Sequence, residues 1–188
     1  MKPICLDRRR WLHRGLRHGV GLAGAAAAPA LLMPARAAAR EPRRLSLVHT
    51  HTGEDIDLVY AVGDRYDPAA LATLNHFLRD HYSGEVGVID RQLHDLLHSV
   101  AQTLGTRERF QVISGYRCPA TNERLRRTGG GGVAKRSLHM DGRAIDVRLP
   151  GVPLATLRDT AWSLQSGGVG FYAESQFVHM DTGRVRRW

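Results

Sequence analysis

The feature that most constrains this chain is the segment from Ser137 to Asp146, which reads SLHMDGRAID. It places His139 seven residues before Asp146, and a later run of strand-forming residues around His179 supplies a third candidate ligand. Histidine and carboxylate side chains bind zinc, and a catalytic zinc usually takes three protein ligands and keeps a fourth position for water. The sequence therefore predicts that His139, Asp146 and His179 form one zinc site.

Two other histidine pairs have spacings that could also bind a metal. His49 and His51 lie two apart in a predicted strand and so share one face. His94 and His98 lie four apart in a predicted helix, the spacing of a helical zinc pair, but Asp95 stands where such a metalloprotease helix carries glutamate. We expect neither pair to bind the metal, and we expect the second to be a solvated helix face.

The N-terminus explains much of the formal net charge of +9, which on its own would suggest a nucleic-acid partner. Arg8-Arg-Arg-Trp-Leu12 precedes a weakly apolar run from Gly15 to Leu32, and Ala35-Arg-Ala37 has the small-x-small pattern of a cleavage site. This arrangement is typical of a secretory signal of the twin-arginine type. The alternatives are an ordinary Sec signal and an uncleaved anchor.

Removing residues 1–37 changes the class of partner that the charge suggests. Seven of the 27 basic residues and one of the 18 acidic residues fall in that segment, so the remainder carries a net charge of about +3. We expect no nucleic-acid partner and no stable membrane span, and a slight basic bias that suits an anionic polymer such as cell wall. The remaining residues, 38–188, fit a single domain that contains the predicted zinc site, expected to be a periplasmic monomer.

Hydrophobic periodicity and turn residues predict a mixture of helices and strands. The predicted helices run from Asp67 to about Gly84, from Asp90 to Leu104, from a cap at Thr121 or Asn122, and from Pro153 to Leu164. The predicted strands are a hairpin at 43–52 and 57–60, and single strands at 110–113, 144–149, 167–172 and 177–181. Four consecutive glycines at 129–132 predict a mobile loop at the rim of the site.

Four motifs together carry a resemblance to a known family: Ser114-Gly-Tyr-Arg117, Ser137-x-His-x-x-Gly-x-Ala-x-Asp146, Gly167-Gly-Val-Gly-Phe-Tyr172 and Phe177-Val-His179. The chain resembles the zinc D-Ala-D-Ala peptidase family, within the wider lysostaphin/D-Ala-D-Ala peptidase/hedgehog zinc fold. More narrowly, it is similar to the MepK-like murein endopeptidase branch of that family. The resemblance extends from about Arg43 to Trp188.

The resemblance implies a small α+β domain, with a mainly antiparallel sheet, flanking helices and a zinc in an open cleft. It implies that His139, Asp146 and His179 bind the metal and that Arg117 contacts the substrate near the scissile amide. It also implies hydrolysis of peptide cross-links in peptidoglycan, and the expected bond joins D-Ala to meso-diaminopimelate.

One departure from the family pattern concerns the general base. Many relatives place an acidic residue three before the last zinc histidine, where this chain has Gln176, and others place a histidine at the position of Phe177. If the last strand is extended, Asp181 lies on the same face as His179. Asp181 is therefore predicted either to be the catalytic base or to accept the N–H of a ligand histidine. Glu174 and, more weakly, Asp141 are the substitutes.

Two further functions remain open at this point. One is a DD-carboxypeptidase that removes a terminal D-Ala, which would need a cationic clamp for the free carboxylate of its substrate. The other is a non-catalytic, zinc-containing module that binds wall peptides, which the missing standard base would permit.

Overall fold

The structure is a computed structural model that describes residues 41–128 and 132–188. These residues belong to one compact unit, Ala38–Trp188. The predicted signal at 1–37 and three of the four loop glycines, 129–131, lie outside the described residues.

The described chain alternates short strands with helices. Its strands are β1 Pro42–His49, β2 Asp55–Val62, β3 Arg65–Tyr66, β4 Phe110–Ser114, β5 Ala144–Arg148, β6 Gly168–Tyr172, β7 Phe177–Asp181 and β8 Arg186–Arg187. Its helices are α1 Pro68–Phe77, α2 Arg91–Leu104, α3 Pro119–Thr128 and α4 Leu154–Ser163, with a single 3-10 turn at Leu138–Asp141.

Within the described residues, the eight strands form one mixed sheet in the order β3-β2-β1-β4-β5-β7-β6-β8. The β1–β4 and β6–β8 pairs are parallel and the other neighbours are antiparallel. The predicted α+β class and the mainly antiparallel sheet are therefore confirmed. The strands β5 and β7, which carry two of the predicted ligands, lie well inside the sheet.

The hydrophobic core joins one face of this sheet to the helices. Helix α1 contacts β2, α2 contacts β1 and α4, and α4 contacts β6 and β7. The core contains strand residues of alternating position, including Leu45, Leu47, Val112, Ile145, Val147, Val178 and Met180. Because side chains alternate across a strand, the intervening residues of the same strands point to the opposite face.

Helix α2 follows its sequence signals closely. The Asp90 side chain accepts a hydrogen bond from the Gln92 N–H at 3.0 Å, and Gly105 ends the helix in the left-handed conformation at φ 63°. These are the N-terminal cap and the glycine stop that helices favour.

Two predicted helix boundaries are wrong. Helix α1 ends at Phe77 rather than near Gly84, because the Asp80 carboxylate accepts the N–H groups of Tyr82 and Ser83 and folds the chain into a turn. Helix α3 already begins at Pro119. The Asn122 N–H donates to the Cys118 carbonyl at 2.9 Å, so Asn122 lies within the helix and does not cap it.

The prediction that His94 and His98 form a solvated helix face is also wrong for His94. Its side chain is 0 % exposed and packs near the ring of Tyr60, whereas His98 is half-buried. Neither ring nitrogen of His94 has a hydrogen-bond partner in the described part of the chain. Burial lowers the pKa of His94 to about 4, which keeps the imidazole neutral near pH 7.

No helix within residues 41–128 and 132–188 combines the length and the apolar character that a bilayer crossing requires.

Candidate metal centre

Strand alternation brings Asp146 and His179 together. In the antiparallel β5–β7 pair, Asp146 is the direct partner of His179, and its neighbours Ile145 and Val147 face the core on the other side of the sheet. Directly opposed residues have Cβ atoms about 4.5–5.5 Å apart, close enough for their side chains to share one ion.

The row continues into the strands on either side. Ser114 of β4 pairs with Asp146, and Gly170 of β6 pairs with His179. Four neighbouring strands therefore place Ser114, Asp146, His179 and Gly170 side by side on the face opposite the core.

His139 reaches this face from the 3-10 turn before β5. The Ser137 hydroxyl caps the turn by accepting the His139 N–H at 3.4 Å, and Gly142 ends it at φ 63°. A Cβ on Gly142 would lie 2.0 Å from the Val88 carbonyl oxygen, so that position accepts only glycine. The Ser and Gly of the motif thus position the histidine between them.

The three predicted ligands converge. Nδ1 of His179 lies 2.8 Å from Oδ1 of Asp146, Nε2 of His139 lies 3.3 Å from Oδ2 of Asp146, and the two nitrogens lie 3.3 Å apart. The exposed fractions of His139, Asp146 and His179 are 2 %, 6 % and 9 %, respectively. Among the described residues, this is the one group of three or more His, Cys, Asp or Glu side chains that could hold a metal ion.

The second nitrogen of each imidazole is already used. Nδ1 of His139 donates to the Gly115 carbonyl at 2.7 Å, and Nε2 of His179 donates to Oδ2 of Asp181 at 3.1 Å. Such contacts fix the tautomer and the ring orientation of a metal-binding histidine. They leave Nε2 of His139 and Nδ1 of His179 as the nitrogens that face the Asp146 carboxylate, so the donor set fits a metal.

The electrostatics of the group favour a charged carboxylate between the two imidazoles. Burial alone would raise the pKa of Asp146, but the charges and hydrogen bonds of His139 and His179 hold it well below its usual range. Burial lowers the pKa of His139. Burial also opposes the protonation of His179, yet hydrogen bonds to Asp146 and Asp181 raise its pKa to about 9. A cation at this position therefore has a negative partner ready.

Asp181 lies on the far side of the His179 ring from Asp146. Its side chain is fully buried, with Oδ1 accepting the N–H groups of Gly168 at 3.0 Å and Gly183 at 2.8 Å. The guanidinium of Arg186 donates to both oxygens, at 3.1 and 2.8 Å. Burial would raise the pKa of Asp181, but the hydrogen bonds from His179 and Arg186 lower it below its usual range. This geometry favours orientation of His179 over proton transfer from water.

Arg117 lies in the loop between β4 and α3 and points toward the same group. Its Nη2 lies 3.5 Å from Oδ2 of Asp146 and donates to the Ser114 hydroxyl at 3.2 Å. Its backbone N–H donates to the His139 carbonyl at 3.2 Å. The loop that carries Arg117 is therefore joined to the turn that carries His139.

Asp80 holds this loop in place, a role that was not predicted. Its Oδ2 accepts the Cys118 N–H at 2.8 Å, while Oδ1 accepts the Tyr82 N–H at 2.9 Å. The predicted helix runs through Asp80 to about Gly84, and the contact of Asp80 with Cys118, 38 residues away, has no local signal. The neighbouring Leu78 carbonyl accepts the Tyr116 N–H at 2.7 Å and completes the support.

The other candidate residues lie elsewhere. Glu174, Asp141 and Gln176 are exposed, and Gln176 adopts a positive φ of 56° in the turn before β7. His49 and His51 are not part of the group of three candidate ligands, and their rings lie beside that of His81, at centroid distances of 5.4 and 4.2 Å.

A cavity of about 560 Å³ opens beside the three ligands. Among its described lining residues, Asp146 is the only carboxylate, so the lining is basic. Its basic residues are Arg117, Arg136 and Arg186, its aromatic residues are Tyr172, Phe177 and Trp188, and its aliphatic residues are Leu125, Val133, Ala134 and Leu138.

Known proteins resemble this chain over its whole length. The family profile described as Peptidoglycan L,D-endopeptidase MepK matches residues 37–188. The protein named Peptidoglycan L,D-endopeptidase MepK from Escherichia coli (strain K12) is 43 % identical over 188 residues, which cover all of both chains. The Probable peptidoglycan L,D-endopeptidase MepK from Haemophilus influenzae is 37 % identical over 189 residues, which cover all of this chain and 98 % of the relative. The chain thus belongs to the MepK family of peptidoglycan peptidases, within the zinc D-Ala-D-Ala peptidases.

Proposed function

We propose that this chain is a zinc-dependent endopeptidase that hydrolyses peptide cross-links in peptidoglycan. The observation that supports this most is the convergence of His139, Asp146 and His179 on one side of a basic cavity that also contains Arg117. Family membership supports the same activity.

Zinc is the metal that best suits the donor set. Two imidazole nitrogens and one carboxylate oxygen are ligands that zinc accepts in catalytic sites, whereas magnesium and calcium prefer oxygen donors throughout. When bound, zinc lowers the pKa of a coordinated water to about 7 and polarises a carbonyl group. His139 and His179 would hold the ion through Nε2 and Nδ1, since their other nitrogens are occupied by Gly115 and Asp181.

Arg117 is proposed to bind the oxygen on which negative charge develops during hydrolysis. Its guanidinium remains charged at any relevant pH and offers several donors in a fixed plane. It lines the cavity next to Asp146, where a scissile carbonyl would have to approach. A donor fixed in advance at such a position stabilises a transition state without reorganising.

Asp181 is proposed to position His179 rather than to act as the base. Its carboxylate is fully buried and already accepts hydrogen bonds from His179, Arg186 and two backbone N–H groups. It is absent from the described residues that line the cavity. A base must come within reach of the water that it deprotonates, and this position does not offer that reach.

The bond that we propose follows the names of the relatives. Both are called L,D-endopeptidases, which indicates a bond from an L-configured to a D-configured centre. The D-Ala to meso-diaminopimelate bond implied by the family resemblance joins two D-centres. We propose in its place the cross-link that joins the L-centre carbonyl of one diaminopimelate to the D-centre nitrogen of another.

The location that we propose is the periplasm, reached by the twin-arginine route, with residues 38–188 acting as a monomer. The support is Arg8-Arg-Arg-Trp-Leu12 ahead of a weakly apolar run. Replacing Arg8 and Arg9 by Lys should retain the protein in the cytoplasm when cells are fractionated. An unchanged periplasmic yield would rule out this route.

The central test uses defined muropeptides and purified zinc-loaded protein. Dimers linked between two diaminopimelates, dimers linked through D-Ala, and pentapeptide monomers are incubated separately and analysed by chromatography and mass spectrometry. Loss of the first dimer is the expected result. Loss of only the second dimer would show that the enzyme cleaves the D-Ala bond instead. Loss of terminal D-Ala would indicate a carboxypeptidase, and binding without cleavage would indicate a non-catalytic module.

A further inference from the structure

Three aromatic side chains form one wall of the cavity, and we call Tyr172, Phe177 and Trp188 the aromatic shelf. The rings of Tyr172 and Phe177 stack at a centroid distance of 4.6 Å, and Nε1–H of Trp188 donates to the Tyr172 hydroxyl at 2.9 Å. Trp188 is 49 % exposed, although it is among the largest apolar side chains in the protein. A large aromatic surface left open beside a candidate catalytic centre indicates a binding surface.

The backbone and the glycines of β6 fix the position of this indole. The Trp188 N–H donates to the Val169 carbonyl at 3.2 Å, and the Trp188 carbonyl accepts the Phe171 N–H at 3.0 Å. A Cβ on Gly170 would lie 2.7 Å from the indole carbons. Gly170 therefore allows the ring to lie against the sheet, in the row that contains the metal ligands.

The indole also touches the metal centre. Its centroid lies 5.3 Å from that of the His179 imidazole, and the guanidinium of Arg186 lies 4.8 Å from its centroid. Arg186 in turn holds Asp181, the partner of His179. Any part of a substrate that lies on the indole would therefore be about one residue's length from a scissile carbonyl group at the metal site.

This distance selects among the chemical groups of a cross-linked wall peptide. The sugar is attached at the start of the stem peptide, so three residues separate it from a cross-link at the third position. At 3.3–3.6 Å per extended residue the sugar lies roughly 10 Å from the cut. The group within reach of the shelf is the three-carbon chain of the diaminopimelate at the cut.

We propose that the indole of Trp188 is the surface on which the aliphatic chain of the diamino acid next to the scissile bond lies. This inference rests on the function proposed above and adds a residue that binds its substrate. Aliphatic carbons packed on an aromatic face are removed from water, which favours binding. The carboxylate at the D-centre of the same residue would then face a cavity that contains Arg117 and Arg136.

The test compares Trp188→Ala and Trp188→Phe with the wild-type protein, all loaded with zinc. Diaminopimelate-linked dimers are supplied with their sugars and after enzymatic removal of the sugars. We expect Trp188→Ala to raise KM about tenfold for both substrates, to change kcat and bound zinc little, and to be partly rescued by Trp188→Phe. Tyr82→Ala is the matched control, because Tyr82 is a similarly exposed aromatic that does not line the cavity.

Four results would overturn the proposal. An unchanged KM would show that the shelf does not touch the substrate, and a rise limited to sugar-bearing dimers would make it a sugar platform. Loss of zinc from Trp188→Ala would make the indole a support for His179. If the wild-type protein cleaves no dimer, the proposed function fails. Calorimetric titration with the same dimers then tests substrate binding by the aromatic shelf separately, and equal affinities of wild type and Trp188→Ala would reject it.

Discussion

Asp146 and Asp181 approach opposite edges of one imidazole, that of His179: Oδ1 of Asp146 lies 2.8 Å from Nδ1, and Oδ2 of Asp181 lies 3.1 Å from Nε2. The two carboxylates therefore have different tasks. Asp146 also contacts His139 and is available to bind an ion, whereas Asp181 is fully buried and paired with Arg186. The ring between them is held in one orientation.

The first prediction concerns Asp181→Asn. If Asp181 positions His179, the variant should bind zinc about 10- to 100-fold more weakly, and added zinc should restore part of its activity. Zinc content after dialysis and turnover against zinc concentration measure this. A loss of about 10²- to 10⁴-fold in turnover with zinc content unchanged would instead identify Asp181 as the base. Asp159→Asn, at an exposed carboxylate of α4 that does not line the cavity, is the control.

The second prediction concerns the ligands. His139→Ala, Asp146→Ala and His179→Ala should each lose bound zinc and hydrolysis while the far-UV circular dichroism remains that of a folded chain. Metal analysis of the purified proteins measures the loss. His98→Ala should retain both properties, because His98 is half-buried on α2 and hydrogen-bonds to the Arg44 carbonyl at 3.2 Å. Loss of metal in that control would contradict the assigned site.

The third prediction concerns Asp80→Asn. The amide nitrogen that replaces one carboxylate oxygen cannot accept a hydrogen bond, so either the N–H groups of Tyr82 and Ser83 or the buried N–H of Cys118 lose their acceptor. Such a loss costs about 1–3 kcal/mol of unfolding free energy. The loop that carries Arg117 should loosen as well, so kcat should fall more than KM rises. Glu85→Gln, at an exposed side chain that contacts the Tyr116 hydroxyl, should change neither.

The fourth prediction concerns stability at low pH. The pKa of His94 is about 4 in the folded protein and about 6.5 in an unfolded chain, so below pH 6.5 the unfolded state binds more protons. The contribution of His94 to stability is therefore complete above pH 6.5 and is lost as the pH falls toward 4. The loss amounts to at most about 3 kcal/mol.

Urea unfolding of His94→Leu at pH 7 and pH 4.5 tests this. The variant should lose less stability than wild type between the two values. An equal loss in His94→Leu and wild type would contradict the prediction. Part of the acid sensitivity should persist, because burial also lowers the pKa of His49 and His81 to about 4.

Local signals explain which parts of the structure could be predicted. The cap at Asp90, the stop at Gly105 and the strand alternation of 177–181 each depend on a few neighbouring residues, and each appears as expected. The convergence of His139, Asp146 and His179 was predicted from their spacing and from the family resemblance.

Contacts between distant segments explain the errors. His94 is buried because Tyr60 of β2 packs near it, and the helical pattern of 91–104 cannot show that neighbour. Asp80 ends α1 early because its carboxylate binds the Tyr82 and Ser83 N–H groups and the Cys118 N–H. Strand alternation correctly predicted that Asp181 lies on the same face as His179. It could not predict that Arg186, five residues later, forms an ion pair with the Asp181 carboxylate.

The pairing of β5 with β7 also limits how the gene can change length. Since adjacent strand residues face opposite sides, one codon inserted within β7 between Phe177 and Val178 would turn His179 toward the core and bring an aliphatic neighbour to the cleft. Codons added to the exposed 173–176 turn would leave the pairing intact. Natural length variation among relatives should therefore collect in such turns and be excluded from the two strands.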